Sequence, residues 1–139
     1  MQRQPGTYLL LITLPHTTTC PIGPRKRIIT FPKGSYVYIG SACNGLDQRI
    51  QRHLRTTKKH HWHIDDLLTY ATTIQPYTTT DPSWTECRLA TTFQQQHTPI
   101  PNFGNSDCTC PTHLYHGTPT RLNNTITTLP LSKYPIAKP

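Results

Sequence analysis

The chain has 139 residues and a mass of 15.9 kDa, enough for one modest hydrophobic core and too little for two. Fourteen Lys and Arg against six Asp and Glu leave a net charge of +8, which makes a polyanion the natural partner, with a merely soluble basic surface as the plainer reading. Five irregularly spaced cysteines do not form a secreted disulfide framework, and the longest apolar run, Tyr8 to Ile12, is too short to cross a bilayer. With no charged and apolar leader, the expectation is a soluble, intracellular, cytoplasmic protein without a membrane partner.

Thr7 to Leu14 is rich in strand formers and almost continuously apolar, as a strand buried on both faces would be. The following PHTTTCPIGPRKR is dense in Pro, Thr and Gly and reads as a loop. Ile28 to Phe31 reads as a short strand, Pro32-Lys33-Gly34 as a turn, and Ser35 to Ile39 as another strand, together suggesting an antiparallel meander. Successive strand side chains alternate, so Tyr36 and Tyr38 share one face while Val37 and Ile39 share the other. A tyrosine on a strand is commonly a core ring with its hydroxyl at the rim. Gly40 beside this pair permits close approach of another backbone or of a phosphate.

Leu46, Ile50 and Leu54 then recur at helical spacing as a core stripe, with Arg49, Arg52 and His53 on a different face. Ile64, Leu67 and Leu68 predict a short second helix, and Ala71 to Thr78 predicts a strand that Pro76 assigns to a sheet edge. A third helix opens near Asp81-Pro82-Ser83 and carries Glu86, Leu89, Ala90 and Phe93. Glu86, the only glutamate in the chain, thus falls on an apolar stripe and needs a partner. A hard divalent ion would supply one, and a structural pairing with Arg49 or Arg88 is the alternative. The segment NFGNSDCTCPTHLYHG reads as a loop leading to a short strand, and 118–139 as a loosely held Pro/Thr-rich tail after a domain of residues 1–117.

These residues resemble the GIY-YIG nucleases, with Gly6-Thr7-Tyr8 as the first signature, Tyr38-Ile39-Gly40 as the second, Arg49 as the helix arginine and Glu86 as the late helix glutamate. More narrowly, the chain is similar to a small stand-alone, largely archaeal group carrying Tyr-Val-Tyr-x-Gly-Ser-Ala, Arg-His, Trp-His-Ile-Asp, Glu-Cys-x-Leu-Ala and Phe-Gly-x-Ser-Asp-Cys-x-Cys-x-x-His-Leu. All of these occur here in order, between Gly6 and about Tyr115. The resemblance implies an α+β fold with a small, mainly antiparallel three-stranded sheet flanked by helices, and hydrolysis of DNA phosphodiester bonds assisted by one Mg2+ or Mn2+ held at Glu86. Repair or clearance of foreign DNA, single-stranded or structured, is the implied setting.

In that scheme Arg49 neutralises charge on the scissile phosphate. Tyr8 and Tyr38 jointly activate the nucleophile, although a phenol with an ordinary pKa near 10 is a poor base unless a cation favours phenolate. His53 passes a proton onward or binds the phosphate. Arg52, Lys58, Lys59, His61, His63 and Ser106 are the expected nucleic-acid contacts, and Trp62 is either a stacking platform or core. His63 and Asp65 can equally buttress the site.

Two departures stand out: Thr7 replaces isoleucine in the first signature, and Ser41 stands where many relatives carry lysine, a phosphate contact that is then either missing or supplied by Lys58 or Lys59. The long segment between the signatures holds Arg25-Lys26-Arg27, a charge run that is either solvated or a backbone contact. Cys108, Cys110 and His113, with Cys87 or His116, raise structural zinc as a rival use, and a DNA or RNA binding module with little cleavage is the rival function.

Overall fold

In a computed structural model, residues 4–101, 103 and 112–136 are described. Strand β1 (Gly6–Leu14) is the hub, flanked by β4 (Gly34–Ala42) on one side and β5 (Thr73–Thr79) on the other, both antiparallel. β7 (Leu114–Gly117) extends the sheet beyond β4, and the two-residue strands β6 (Thr98–Pro99) and β8 (Ser132–Lys133) close its edges in the order β6-β7-β4-β1-β5-β8. The sheet therefore has six strands rather than the three expected, because both flanks of the central trio recruit short segments from the second half of the chain. Pro76 sits one strand in from the edge, and its carbonyl accepts from Tyr134 N while β8 pairs only with Tyr77 and Thr78.

The segment read as a loop after β1 contains β2 (Thr18–Ile22), which pairs with β3 (Arg27–Phe31) in a separate two-stranded sheet. Its alternation is carried by Cys20 and Ile22, which the surrounding Pro and Thr obscure. β3 consequently does not continue into β4 as a meander. The hairpin instead lays Cys20, Ile22 and Phe31 against the main core.

Strand alternation divides that core between the two sheet faces, as the tyrosine pattern predicts. Tyr8, Leu10 and Ile12 of β1 and Tyr36 and Tyr38 of β4 pack with helices α1 (Leu46–Leu54) and α2 (His63–Leu68). Leu9, Val37 and Ile39 pack on the other face with α3 (Glu86–Gln94) and α4 (Pro119–Thr127). α3 starts later than Asp81 because that carboxylate binds Ser83 N and Oγ in a local turn, leaving Thr85 to cap the helix by accepting from Arg88 N. Nor are residues 119–127 loosely held. Thr118 caps α4, Pro119 occupies its first turn, and Leu122, Thr125 and Ile126 are buried.

Candidate active site

Where β4 runs out at Gly40 to Ala42, its end meets α1, the start of α2 and the first residue of α3 around an open cleft of about 480 Å3. Tyr8, Tyr38, Arg49 and Glu86 all border this cleft, having come from four separate elements. His61 and His63 border it too. His53 lies beneath its floor, 1% exposed, with Nε2 2.7 Å from the Tyr8 hydroxyl.

Gly40 explains the packing of that floor. A Cβ there would stand 2.5 Å from the Tyr8 hydroxyl oxygen and 2.6 Å from the adjoining ring carbon, so the close approach this glycine permits is that of the Tyr8 ring. Burial pushes the Tyr8 phenol up to about 12, against the opposing pull of the Arg49 guanidinium. Tyr38 is raised further, again chiefly by burial. Both phenols are therefore protonated at neutral pH.

His53 is driven the opposite way. Burial lowers it from 6.5 to about 3, and although the Asp65 carboxylate opposes that shift, Lys58, Arg49 and Arg52 add to it. A neutral imidazole is thus paired with a neutral phenol, and its Nδ1 has no hydrogen-bond partner among the described residues. Since the unfolded chain takes up a proton that folded His53 refuses, this residue supports stability fully above pH 6.5, and the support declines as pH falls from there toward about 3. Urea midpoints measured from pH 7.5 to 4.5 should fall less steeply for His53→Gln than for wild type. Parallel curves would contradict a buried neutral His53.

Arg49 donates from Nη1 to the Ser41 carbonyl oxygen at 2.9 Å, and its guanidinium lies 4.5 Å from the centre of the Trp62 ring. Ser41 Oγ in turn donates to Glu86 Oε1 at 3.2 Å, and His113 Nδ1 is 3.6 Å from Glu86 Oε2. Ser41 and His113, which the sequence reading gave no part in the site, therefore position the glutamate. In the sequence, His113 stands out only as a candidate zinc ligand and Ser41 only as the replacement of a lysine. Glu86 is 27% exposed, so it borders the cleft rather than lying in the core. It pairs with neither candidate arginine: Arg49 is engaged as above, and Arg88 lies over Trp84.

Among the described residues, no three His, Cys, Asp or Glu side chains converge into a ready cation cage. The donor set at Glu86 instead suits a hard divalent ion, for which one carboxylate, waters and substrate oxygens suffice. Cys108, Cys110 and Ser106 lie outside the described residues. His113 is turned toward Glu86, and His116 stacks on Tyr36.

The remaining predicted nucleic-acid contacts are placed differently. Arg52 makes a two-pronged ion pair with Asp65 at 2.9 Å on each oxygen and also donates to the Lys59 carbonyl. Asp65 is fully buried and additionally accepts from the backbone N–H of His61 and Trp62, so the pair fixes the chain entering α2. The Lys58 ammonium donates to the Arg52 and His53 carbonyls at the end of α1. With Lys59 it borders a neighbouring hollow rather than the cleft, so neither replaces a lysine at position 41. Trp62 is half-buried beneath the Arg49 and Arg52 guanidiniums, and acts as a support for both.

No described helix is long and apolar enough to cross a membrane. The model of the family described as "Domain of unknown function DUF123" matches residues 7–132. No curated protein and no solved structure matches the chain.

Proposed function

The chain belongs to the DUF123 family, and we propose that its cleft is the active site of a divalent-metal-dependent DNA endonuclease of the GIY-YIG type. The observation that carries this reading is the convergence of Tyr8, Tyr38, Arg49 and Glu86, spread over almost 80 positions of sequence, on one cleft.

Arg49 is held with its planar guanidinium at the cleft, where it suits the in-plane oxygens of a phosphodiester. Its role is to bind the phosphate and offset charge that develops as the nucleophile adds. The Tyr8 hydroxyl, backed by His53, orients the attacking water. As water gives a proton to the Tyr8 oxygen, the phenol passes its own to His53 Nε2, which burial makes a transient holder that returns it through Tyr8 to solvent, so the buried pair never holds a free phenolate. Water oxygen bonds to phosphorus, the bond from phosphorus to the leaving sugar oxygen breaks, and that oxygen takes up a proton from solvent in the open cleft to leave as the hydroxyl. Tyr38 walls this position on the sheet side. Glu86, set by Ser41 and His113, is the residue that would hold the cation, which when bound neutralises charge on the phosphate and the leaving oxygen.

Tyr8→Phe tests the relay while leaving the ring in place. Initial rates on labelled single-stranded and duplex DNA in Mg2+ should fall by roughly 10²- to 10⁴-fold, the range associated with a positioned proton-transfer group. A loss smaller than threefold would remove Tyr8 from the chemistry. RNA of the same sequence serves as the comparison that settles which sugar the site accepts.

A further inference from the structure

We propose that the β2–β3 hairpin is a DNA-binding wall of the cleft, which grips the strand on one side of the scissile phosphate. The inference rests on the nuclease reading and adds to it the path of the substrate. The hairpin is not an appendage: its inner face, Cys20, Ile22 and Phe31, is buried in the main core. Its turn is fastened where it meets the site. Gly23 adopts a positive φ of 78°, its N–H donates to Asp66 Oδ2 at 2.8 Å, and a Cβ there would stand 3.0 Å from His63 Nε2. The next residue, Pro24, borders the cleft itself.

This anchoring presents Arg25 and Lys26 at the rim, both exposed, and among the described residues neither is ion-paired with a carboxylate. Solvation alone would account for an exposed charge run, but not for a tip seated against a cleft-lining histidine. The strand beside the tip also leaves Ile28 65% exposed, an apolar side chain available to a sugar or base.

Next to the hairpin turn, His61 borders both the cleft and the adjoining hollow of about 440 Å3, whose lining includes Arg55, Lys58 and Lys59. Asp66 holds the two segments together, since its other oxygen lies 2.7 Å from His60 Nδ1 in that same loop. A basic rim thus runs from the hairpin tip to the neighbouring 55–61 loop, alongside the cleft that Arg49 lines. It is longer than one phosphate and matches a polyanionic strand laid through the site.

The test compares Arg25→Gln/Lys26→Gln with Lys33→Gln/Arg121→Gln, which removes the same charge near the opposite end of β4. Binding of labelled single-stranded DNA is measured by anisotropy across a salt series without divalent metal, and cleavage is then measured at saturating DNA with Mg2+. Losing two phosphate contacts should lower the slope of log K against log salt by about 1.4 and weaken binding roughly tenfold or more near 0.1 M salt. The distant pair should bind within about twofold of wild type and cleave at the wild-type kcat, since it touches neither the cleft nor the hairpin tip. Equal affinity and slope for the two variants would overturn the hairpin proposal while leaving the nuclease reading intact. A folded wild type that binds no DNA at low salt would overturn both.

Discussion

Glu86→Ala should remove metal-dependent cleavage while leaving a folded protein that still binds DNA. Its carboxylate is the one acidic group bordering the cleft among the described residues, so its loss takes away the anchor for the cation. Charge stabilisation by such an ion is worth several kcal/mol, which corresponds to a rate loss of about 10³-fold or more. The structural cost is small. Glu86 is partly exposed at the start of α3, where an acidic side chain favours the helix by about 0.3–1 kcal/mol. Thr85 continues to cap that helix, and Leu89, Ala90 and Phe93 continue to bury its inner face. Rates in Mg2+ and Mn2+, set beside a urea melt and an anisotropy titration of the same preparation, check all three parts. Unchanged turnover in the variant would show that Glu86 has no part in catalysis.

Asp65→Ala carries the largest expected effect on stability. Four hydrogen bonds converge on this fully buried carboxylate, two from Arg52 and one each from the backbone of His61 and Trp62. Its removal strands a guanidinium and two N–H groups, which for a broken buried ion pair costs about 3–5 kcal/mol. That is a large share of the 5–15 kcal/mol typical of a domain. Asp65→Ala/Arg52→Met, which removes the stranded charge as well, should recover part of the loss. Burial on its own would raise the Asp65 pKa, but the Arg52 hydrogen bonds and the two backbone donors hold it well below 3.8. The pair therefore supports the fold above that pH, and the support is lost as acid protonates the carboxylate. A loss under 1 kcal/mol at pH 7, read from urea unfolding, would contradict this assignment.

The sequence was most legible where one periodicity ran unbroken. β1 and β4 show as runs buried on both faces, β1 almost continuously apolar and β4 with its tyrosines opposite Val37 and Ile39, and α1 and α3 show their buried stripes at Leu46 and Ile50 and at Leu89 and Phe93. The short edge strands were not visible, because two residues are too few to show a period and their pairing partners are distant in sequence. α4 was obscured by its Thr and Asn content. Thr125 is buried in that helix and hydrogen-bonds His97, a satisfied polar contact that composition alone cannot reveal.

In the site, residue types pointed to chemistry but not to contacts. Arg49, Arg52 and His53 occupy consecutive turns of one helix, yet they face the cleft, Asp65 and Tyr8 respectively. Only the third dimension separates a phosphate-facing arginine from one engaged in holding α2. Likewise Gly40 signalled a close approach, while the approaching group was a ring from the neighbouring strand. Ser41 and His113 took their importance from Glu86, which lies 45 and 27 positions away respectively.

The most direct test is cleavage of end-labelled single-stranded and duplex DNA by purified wild-type protein at low salt, with Mg2+, with Mn2+ and with EDTA. The cleft described here predicts cut product in either metal and none in EDTA. Intact DNA under all three conditions, with anisotropy showing the same strands bound by folded protein, would contradict the nuclease and leave a binding module in its place.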